Sequence, residues 1–251
     1  RGRLDMDFLE KSVDDNTALV TLMWANNETG VIQPTEQIWA VAKQHRILFH
    51  CDAVQAFGHI PTDVKRIGCD LLSVSAHKLY GPRGIGFLYI RSGIALPAML
   101  HGGGQENGFR SGTEGTPAIF GFAAACEACK TTLQQDIAKE KDLLNGLIEK
   151  LCKLDGLKIN GAHEAPHILS LAIPGLPTQN SINLLQDAGI CVSAGSACAK
   201  GHRSHVMTAM GLKPEVIDGS FRVSICRDTT AEELDKLAEV IEKELLPRAR
   251  A

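Results

Sequence analysis

Four short apolar runs between residues 17 and 90 limit what this chain can become. They are 17–25 (TALVTLMWA), 46–53 (RILFHCDA), 70–76 (DLLSVSA) and 85–90 (IGFLYI), each of strand length, the last β-branched and aromatic. Between the first two lies TEQIWAVAKQH, with Pro34 ahead of it, Glu36 in the first turn and basic residues at its end, the marks of a helix. Strands separated by a helix of about a dozen residues predict a parallel-sheet α/β layout. The third run ends in Ser75, His77 and Lys78, followed by the breaker-rich YGPRG, so a tight connection joins it to the fourth. A lysine after a strand is ordinarily a solvated turn residue. Lys78, however, sits past the carboxyl end of a strand, where open α/β sheets collect ligands.

The chain's 251 residues suffice for one large or two small domains. A net charge of −3, with no block of like charges, gives no reason to expect direct nucleic-acid binding. No 18-residue apolar stretch exists to span a membrane, and no signal-peptide pattern opens the chain. The eight cysteines (51, 69, 126, 129, 152, 191, 198 and 226) are scattered, which favours a reducing, cytoplasmic compartment. Cys126 and Cys129 form a lone CxxC inside the helical pattern PAIFGFAAACEACKTTL; without a second pair they read as packed helix residues, not as zinc ligands.

The opening 1–16 (RGRLDMDFLEKSVDDN) reads as a polar stretch leading straight into a strand. Residues 101–117 (HGGGQENGFRSGTEGTP) are glycine-rich and nearly devoid of apolar side chains, a long loop of the kind that is usually functional. A periodic helix follows from about 117 to 154. Beyond it the pattern gives strands in KING and HILSLAIPG, a helix in QNSINLLQDAG, a strand in ICVSAG, a polar loop, a strand in SFRVSIC and a closing helix TAEELDKLAEVIEKELL with capping signals. The expected organisation is part of a large, mainly parallel α/β domain over 1–134 and a smaller α+β C-terminal domain over 135–251.

Asn26 and Asn27 follow the first strand, Asp52 and Gln55 the second, and Lys78 the third. Parallel neighbours deliver their carboxyl ends to one edge, so Asn27, Asp52 and Lys78 are expected to converge on one crevice. An acid, a lysine amine and amide donors there fit pyridoxal 5'-phosphate. Its aldehyde takes an amine, and its ring withdraws electrons best with the nitrogen held protonated by an acid.

Six blocks occur in order along the chain: Asn-Asn-Glu-x-Gly at 26–30, Asp-Ala-x-Gln at 52–55, Ser-x-His-Lys-x-Tyr-Gly-Pro-x-Gly-x-Gly at 75–86, His-Gly-Gly-Gly-Gln-Glu at 101–106, Arg-Ser-Gly-Thr at 110–113 and Ala-Gly-Ser-Ala-Cys at 194–198. Together they resemble the pyridoxal-phosphate-dependent cysteine desulfurases of the NifS-like group, in the class V aminotransferase family, over nearly the whole chain. Ala194 stands where relatives often have Ser. The resemblance implies a fold-type I transferase in which Lys78 binds the cofactor aldehyde and Asp52 partners the ring nitrogen. Gln55 and Asn27 match residues that bond the phenolic oxygen and help hold substrate, and Ser75 and His77 match phosphate contacts. Thr113 matches a residue reaching the phosphate held by the other protomer, so a homodimer is implied. Arg222 matches the arginine that clamps the substrate carboxylate, a role suited to its bidentate fork. Cys198 matches the nucleophile, and Lys200, His202 and Arg203 stand close enough in sequence to favour its thiolate.

The implied activity removes sulfur from L-cysteine, giving L-alanine and a persulfide on Cys198 for a sulfur-acceptor protein in iron-sulfur cluster or thio-cofactor synthesis. The segment that cradles the cofactor phosphate and the residue that stacks on its ring have no match here. With Arg1 at its start, the chain therefore reads as a fragment, a proteolytic product or one half of a split enzyme, expecting an N-terminal segment or companion chain. The family's C-terminal extension also reads as short. Two rival readings stay open: a selenocysteine lyase, which would share nearly every motif, and a cofactor-free binding or regulatory module of this fold.

Overall fold

The computed structural model describes residues 1–195 and 203–249. Two compact units make it up, one of Asp5–Trp24 and Pro34–Leu133, the other of Arg1–Leu4, Ala25–Gln33 and Gln134–Ala251.

The first unit holds a four-stranded sheet of β1 (Leu19–Met23), β2 (Leu48–Asp52), β3 (Leu71–Ser75) and β4 (Gly86–Ile90), in that spatial order. β1, β2 and β3 run parallel, with Met23 level with Asp52 and Asp52 level with Ser73; β4 returns antiparallel, pairing Gly86 with Ser75. Alternation along β2 sends Phe49 and Cys51 to a fully buried face and His50 and Asp52 to the opposite, half-buried one. Helix Thr35–Gln44 buries Ile38, Val41 and Ala42, the three- and four-residue spacing its sequence carries.

Residues 6–12 differ from the expected polar lead-in: Met6–Ser12 is a helix, with Asp5 at its N-cap accepting from the Phe8 amide at 3.1 Å. Met6 and Leu9 pack against a small cluster of Val13, Val41 and Ile47, and this burial fixes the helix in spite of its acidic composition. The glycine-rich stretch has one short 3-10 turn, Glu106–Gly108, and otherwise no regular structure before helix Thr116–Leu151 carries the chain onward.

The second unit's sheet is antiparallel, in the order β5 (Lys158–Asn160), β6 (Ile168–Ala172), β8 (Ser220–Ser224), β7 (Ser193–Ala194). Leu144, Leu147 and Leu151 of the long helix form one core with Leu169, Leu171, Phe221 and Val223 of the sheet and Leu234, Leu237 and Ile241 of the closing helix. That closing helix begins at Ala231 in a reciprocal capping box, Thr230 Oγ1 accepting from the Glu233 amide at 3.3 Å and Glu233 Oε2 from the Thr230 amide at 3.0 Å. A π turn, Ile241–Leu245, interrupts it. Two further departures from the expected pattern stand out. The run ICVSAG yields only a two-residue strand, and the expected polar loop contains helices His205–Ala209 and Pro214–Asp218. Among the described residues no helix is long and apolar enough to cross a membrane.

Candidate active site

In the first unit, the residues expected at the sheet's carboxyl edge are held there by backbone. Asp52 closes β2, and its Oδ1 accepts from the Val54 amide at 2.9 Å. The Ala53 amide donates to the Ser73 carbonyl at 3.0 Å, tying the turn after β2 to β3 and placing Gln55, 9% exposed, in that turn. Ser75 closes β3 and leads into a single 3-10 turn, Ala76–Lys78. Ser75 Oγ and His77 Nδ1 stand 2.8 Å apart, and Lys78, half-buried, ends the turn. The Lys78 carbonyl accepts from His59 Nε2 at 3.0 Å, so the turn is anchored while its amine forms no hydrogen bond or ion pair among the described residues. Thr113 lies exposed in the glycine-rich stretch.

One histidine at this edge was not anticipated from the sequence. His50 bridges the sheet sideways, its Nδ1 2.7 Å from Thr21 Oγ1 and its Nε2 2.8 Å from Ser73 Oγ. Burial lowers its pKa from the usual value, and the Asp52 carboxylate opposes that shift. The available signal was its period-two relation to Asp52, which puts both on one face.

In the second unit, Asn27 and Arg222 come together. Arg222 projects from β8, donating from Nη1 to the Asn27 carbonyl at 2.8 Å and from Nε to Ser224 Oγ at 3.0 Å. Burial lowers its pKa and the nearby Glu28 carboxylate opposes the shift. With Nε and Nη1 committed, Nη2 remains to meet a carboxylate. The turn that carries Asn27 is stiff: Asn26 Oδ1 accepts from the Glu28 amide, the Thr29 amide and Thr29 Oγ1, each at 3.0 Å. It closes on Gly30, at φ +68°, where an added Cβ would lie 2.7 Å from the Ile168 carbonyl oxygen.

Cys198, the expected nucleophile, lies outside the described residues, as do Lys200 and His202. Arg203 is engaged by Asp218 in a two-bond fork, with Nε–Oδ1 and Nη2–Oδ2 both 2.7 Å. Burial argues against several other thiols as nucleophiles. It pushes the Cys51 thiol well up and the Cys69 thiol to about 11, so neither supplies thiolate at neutral pH. Cys129 is buried and Cys126 half-buried and pushed up by desolvation, as their helical pattern implied.

An acid, an amide, an amine and a hydroxyl–imidazole pair thus sit at the carboxyl ends of adjacent parallel strands β2 and β3. That donor set fits pyridoxal phosphate: a carboxylate for a ring nitrogen, an amine for an aldehyde, and hydroxyl and imidazole donors for phosphate oxygens.

Comparison with known proteins agrees with this geometry. The profile of the Aminotransferase class-V family matches residues 1–237. A cysteine desulfurase of Nostoc sp. is 41% identical over 255 residues, covering 100% of this chain and 64% of that protein. The cysteine desulfurase IscS of Methanosarcina thermophila is 40% identical, covering 96% and 60% respectively. This chain therefore spans less than two thirds of the length of either relative. Among solved structures, a NifS-like protein superposes with a TM-score of 0.89 at 38% identity, over 98% of this chain and 66% of its own. A NifS-like protein from Rickettsia africae reaches the same TM-score at 33% identity. Sheet order, edge residues and sequence matches lead to one assignment: the chain belongs to the class-V aminotransferase family and has the fold of its NifS-like members.

Proposed function

We propose that this chain carries the reaction machinery of a cysteine desulfurase, converting L-cysteine to L-alanine and passing the sulfur to a thiol of the protein. The observation that carries the proposal is the placement of Asp52 and Lys78 at the carboxyl ends of neighbouring parallel strands, beside the Ser75–His77 pair. Pyridoxal phosphate, when bound, supplies an electron sink for charge developing at the substrate α-carbon. Asp52 holds the proton on its ring nitrogen, Ser75 and His77 donate to its phosphate, and Gln55 and Asn27 orient it through their amides. Thr113 supports a site of this kind across a homodimer.

The residues divide the remaining work by chemistry. Arg222 takes the substrate carboxylate with its free Nη2 edge, orienting the α-carbon. Lys78 moves the proton at that carbon and returns one to the product, a task for an amine on an anchored turn. The Cys198 thiolate attacks the substrate sulfur. The carbon–sulfur bond breaks, its electron pair stays with the carbon skeleton that becomes alanine, and the sulfur remains on Cys198 as a persulfide. A sulfur-acceptor protein then takes the persulfide sulfur for cluster or thio-cofactor assembly in the cytoplasm.

The test is direct. This chain alone is expected to hold pyridoxal phosphate weakly, because the phosphate-cradling segment has no match in it; co-expressed with such an N-terminal segment it is expected to turn yellow and to release alanine from L-cysteine, one per sulfur transferred. Lys78→Ala is expected to abolish both. No colour and no alanine in that assembly would contradict the reading, and turnover of selenocysteine alone would reassign the substrate.

A further inference from the structure

Glu28 belongs to the Asn-Asn-Glu-x-Gly block, yet none of the roles above uses it. It is 3% exposed, and among the described residues no lysine or arginine forms an ion pair with it. A carboxylate in that position is unfavourable unless hydrogen bonds satisfy it. Its Oε2 accepts from Ser204 Oγ at 2.5 Å, a link spanning 176 residues. Ser204 is in turn the N-cap of helix His205–Ala209, its Oγ accepting from the Met207 amide at 3.1 Å. The same carboxylate oxygen lies beside Gly195, where an added Cβ would meet Glu28 Oε2 at 3.5 Å and Met207 Cε at 3.1 Å. Gly195 and Ser204 lie on either side of the stretch containing Cys198 in sequence, and one oxygen atom is adjacent to both.

The other side of the turn faces the opposite task. Asn26 fixes the backbone of Glu28 and Thr29, and the carbonyl between them and Asn26, that of Asn27, receives Arg222 Nη1. One stiff turn therefore meets both the arginine of the carboxylate site and the two borders of the Cys198 segment.

We propose that Glu28 is a positioning residue that fixes Ser204 and Gly195, and with them the borders of the segment carrying Cys198, relative to Arg222. The inference rests on the reading of Arg222 as carboxylate clamp and Cys198 as nucleophile. It separates sulfur transfer from substrate capture. When Glu28 is truncated Arg222 keeps its Asn27 and Ser224 bonds and loses only the electrostatic support of the Glu28 carboxylate, so capture is weakened less than delivery of the thiolate.

The experiment uses three substitutions with two readouts. The first readout, independent of cofactor, is the rate of Cys198 alkylation by iodoacetamide followed by peptide mass spectrometry, with the exposed Cys152 as internal reference. The second is alanine release from L-cysteine by the cofactor-loaded protein. Glu28→Ala is expected to raise Cys198 alkylation at least fivefold relative to Cys152. In the loaded protein it is expected to lower kcat at least tenfold with a smaller change, under threefold, in KM. Ser204→Ala is expected to do the same, and the double variant to be no worse than either single one. Glu28→Gln, which keeps an acceptor for Ser204, is expected to stay within threefold of the parent in both readouts. Parent-like alkylation and kcat in Glu28→Ala, or equal losses in Glu28→Gln and Glu28→Ala, would overturn the proposal. A parent that binds cofactor but releases no alanine would instead defeat the desulfurase reading, and the alkylation series alone would then decide on Glu28.

Discussion

Arg222 Nη1 donates to the Asn27 carbonyl at 2.8 Å, joining strand β8 to a turn 195 residues earlier in the chain. Two of the three guanidinium nitrogens are thus spent on holding the third in place. A lysine cannot reproduce that fork, because its charge is a single centre on a flexible stem. Arg222→Lys is expected to raise KM for L-cysteine about tenfold or more, with a smaller change in kcat. Steady-state kinetics check this, and an unchanged KM would remove Arg222 from the carboxylate site.

Asp52 is half-buried, and among the described residues the one hydrogen bond of its side chain is accepted from the Val54 amide. Its loss should therefore disturb chemistry more than folding. Asp52→Ala is expected to slow alanine release by about a hundredfold, roughly 3 kcal/mol in the barrier. Stability should fall by only about 1 kcal/mol, the worth of one ordinary hydrogen bond. Thermal unfolding measured beside the kinetics separates the two effects; parallel losses would mark Asp52 as structural.

Glu140 on the long helix is 2% exposed, and burial pushes its carboxyl up from 4.5 to about 7, with Asp136 adding to the shift and Lys139 opposing it. Between those values the folded chain holds a proton that the unfolded chain has released, so stability falls as pH rises through that window. Glu140→Gln removes the titration. The variant is expected to be more stable than the parent at pH 8 by about 1 to 3 kcal/mol and to lose the advantage by pH 4. Denaturant titrations at the two pH values test this.

Much of the first unit was legible because local pattern and tertiary role agree there. The run ending FHCD became β2 with Asp52 at its edge, and SVSAHK became β3 followed by the turn that presents Lys78. The Thr230 and Glu233 pair announced the closing helix, and the capping box formed. What the sequence hid depends on distant partners. Met6–Ser12 is helical because Met6 and Leu9 find Val41 and Ile47, which no local window contains. Glu28 stood in a recognised block, but neither its burial nor its hydrogen bond from Ser204, 176 residues on, is written in its neighbours in sequence. Arg203 was read as a basic neighbour of Cys198, and its fork with Asp218, 15 residues on, was not visible in its own loop. The π turn at Ile241–Leu245 lies within an apolar periodicity that is still that of an ordinary helix.

The most direct test of the account is to locate the transferred sulfur. After the cofactor-loaded protein has been exposed to L-cysteine, peptide mass spectrometry under non-reducing conditions is expected to find one added sulfur on Cys198 and none on the other seven cysteines. Cys198→Ser should keep the yellow colour and still bind L-cysteine, because neither step needs the thiol, but should release no alanine above background. Added sulfur on Cys191 or Cys226, or alanine still forming in the serine variant, would contradict the central claim that Cys198 receives the sulfur.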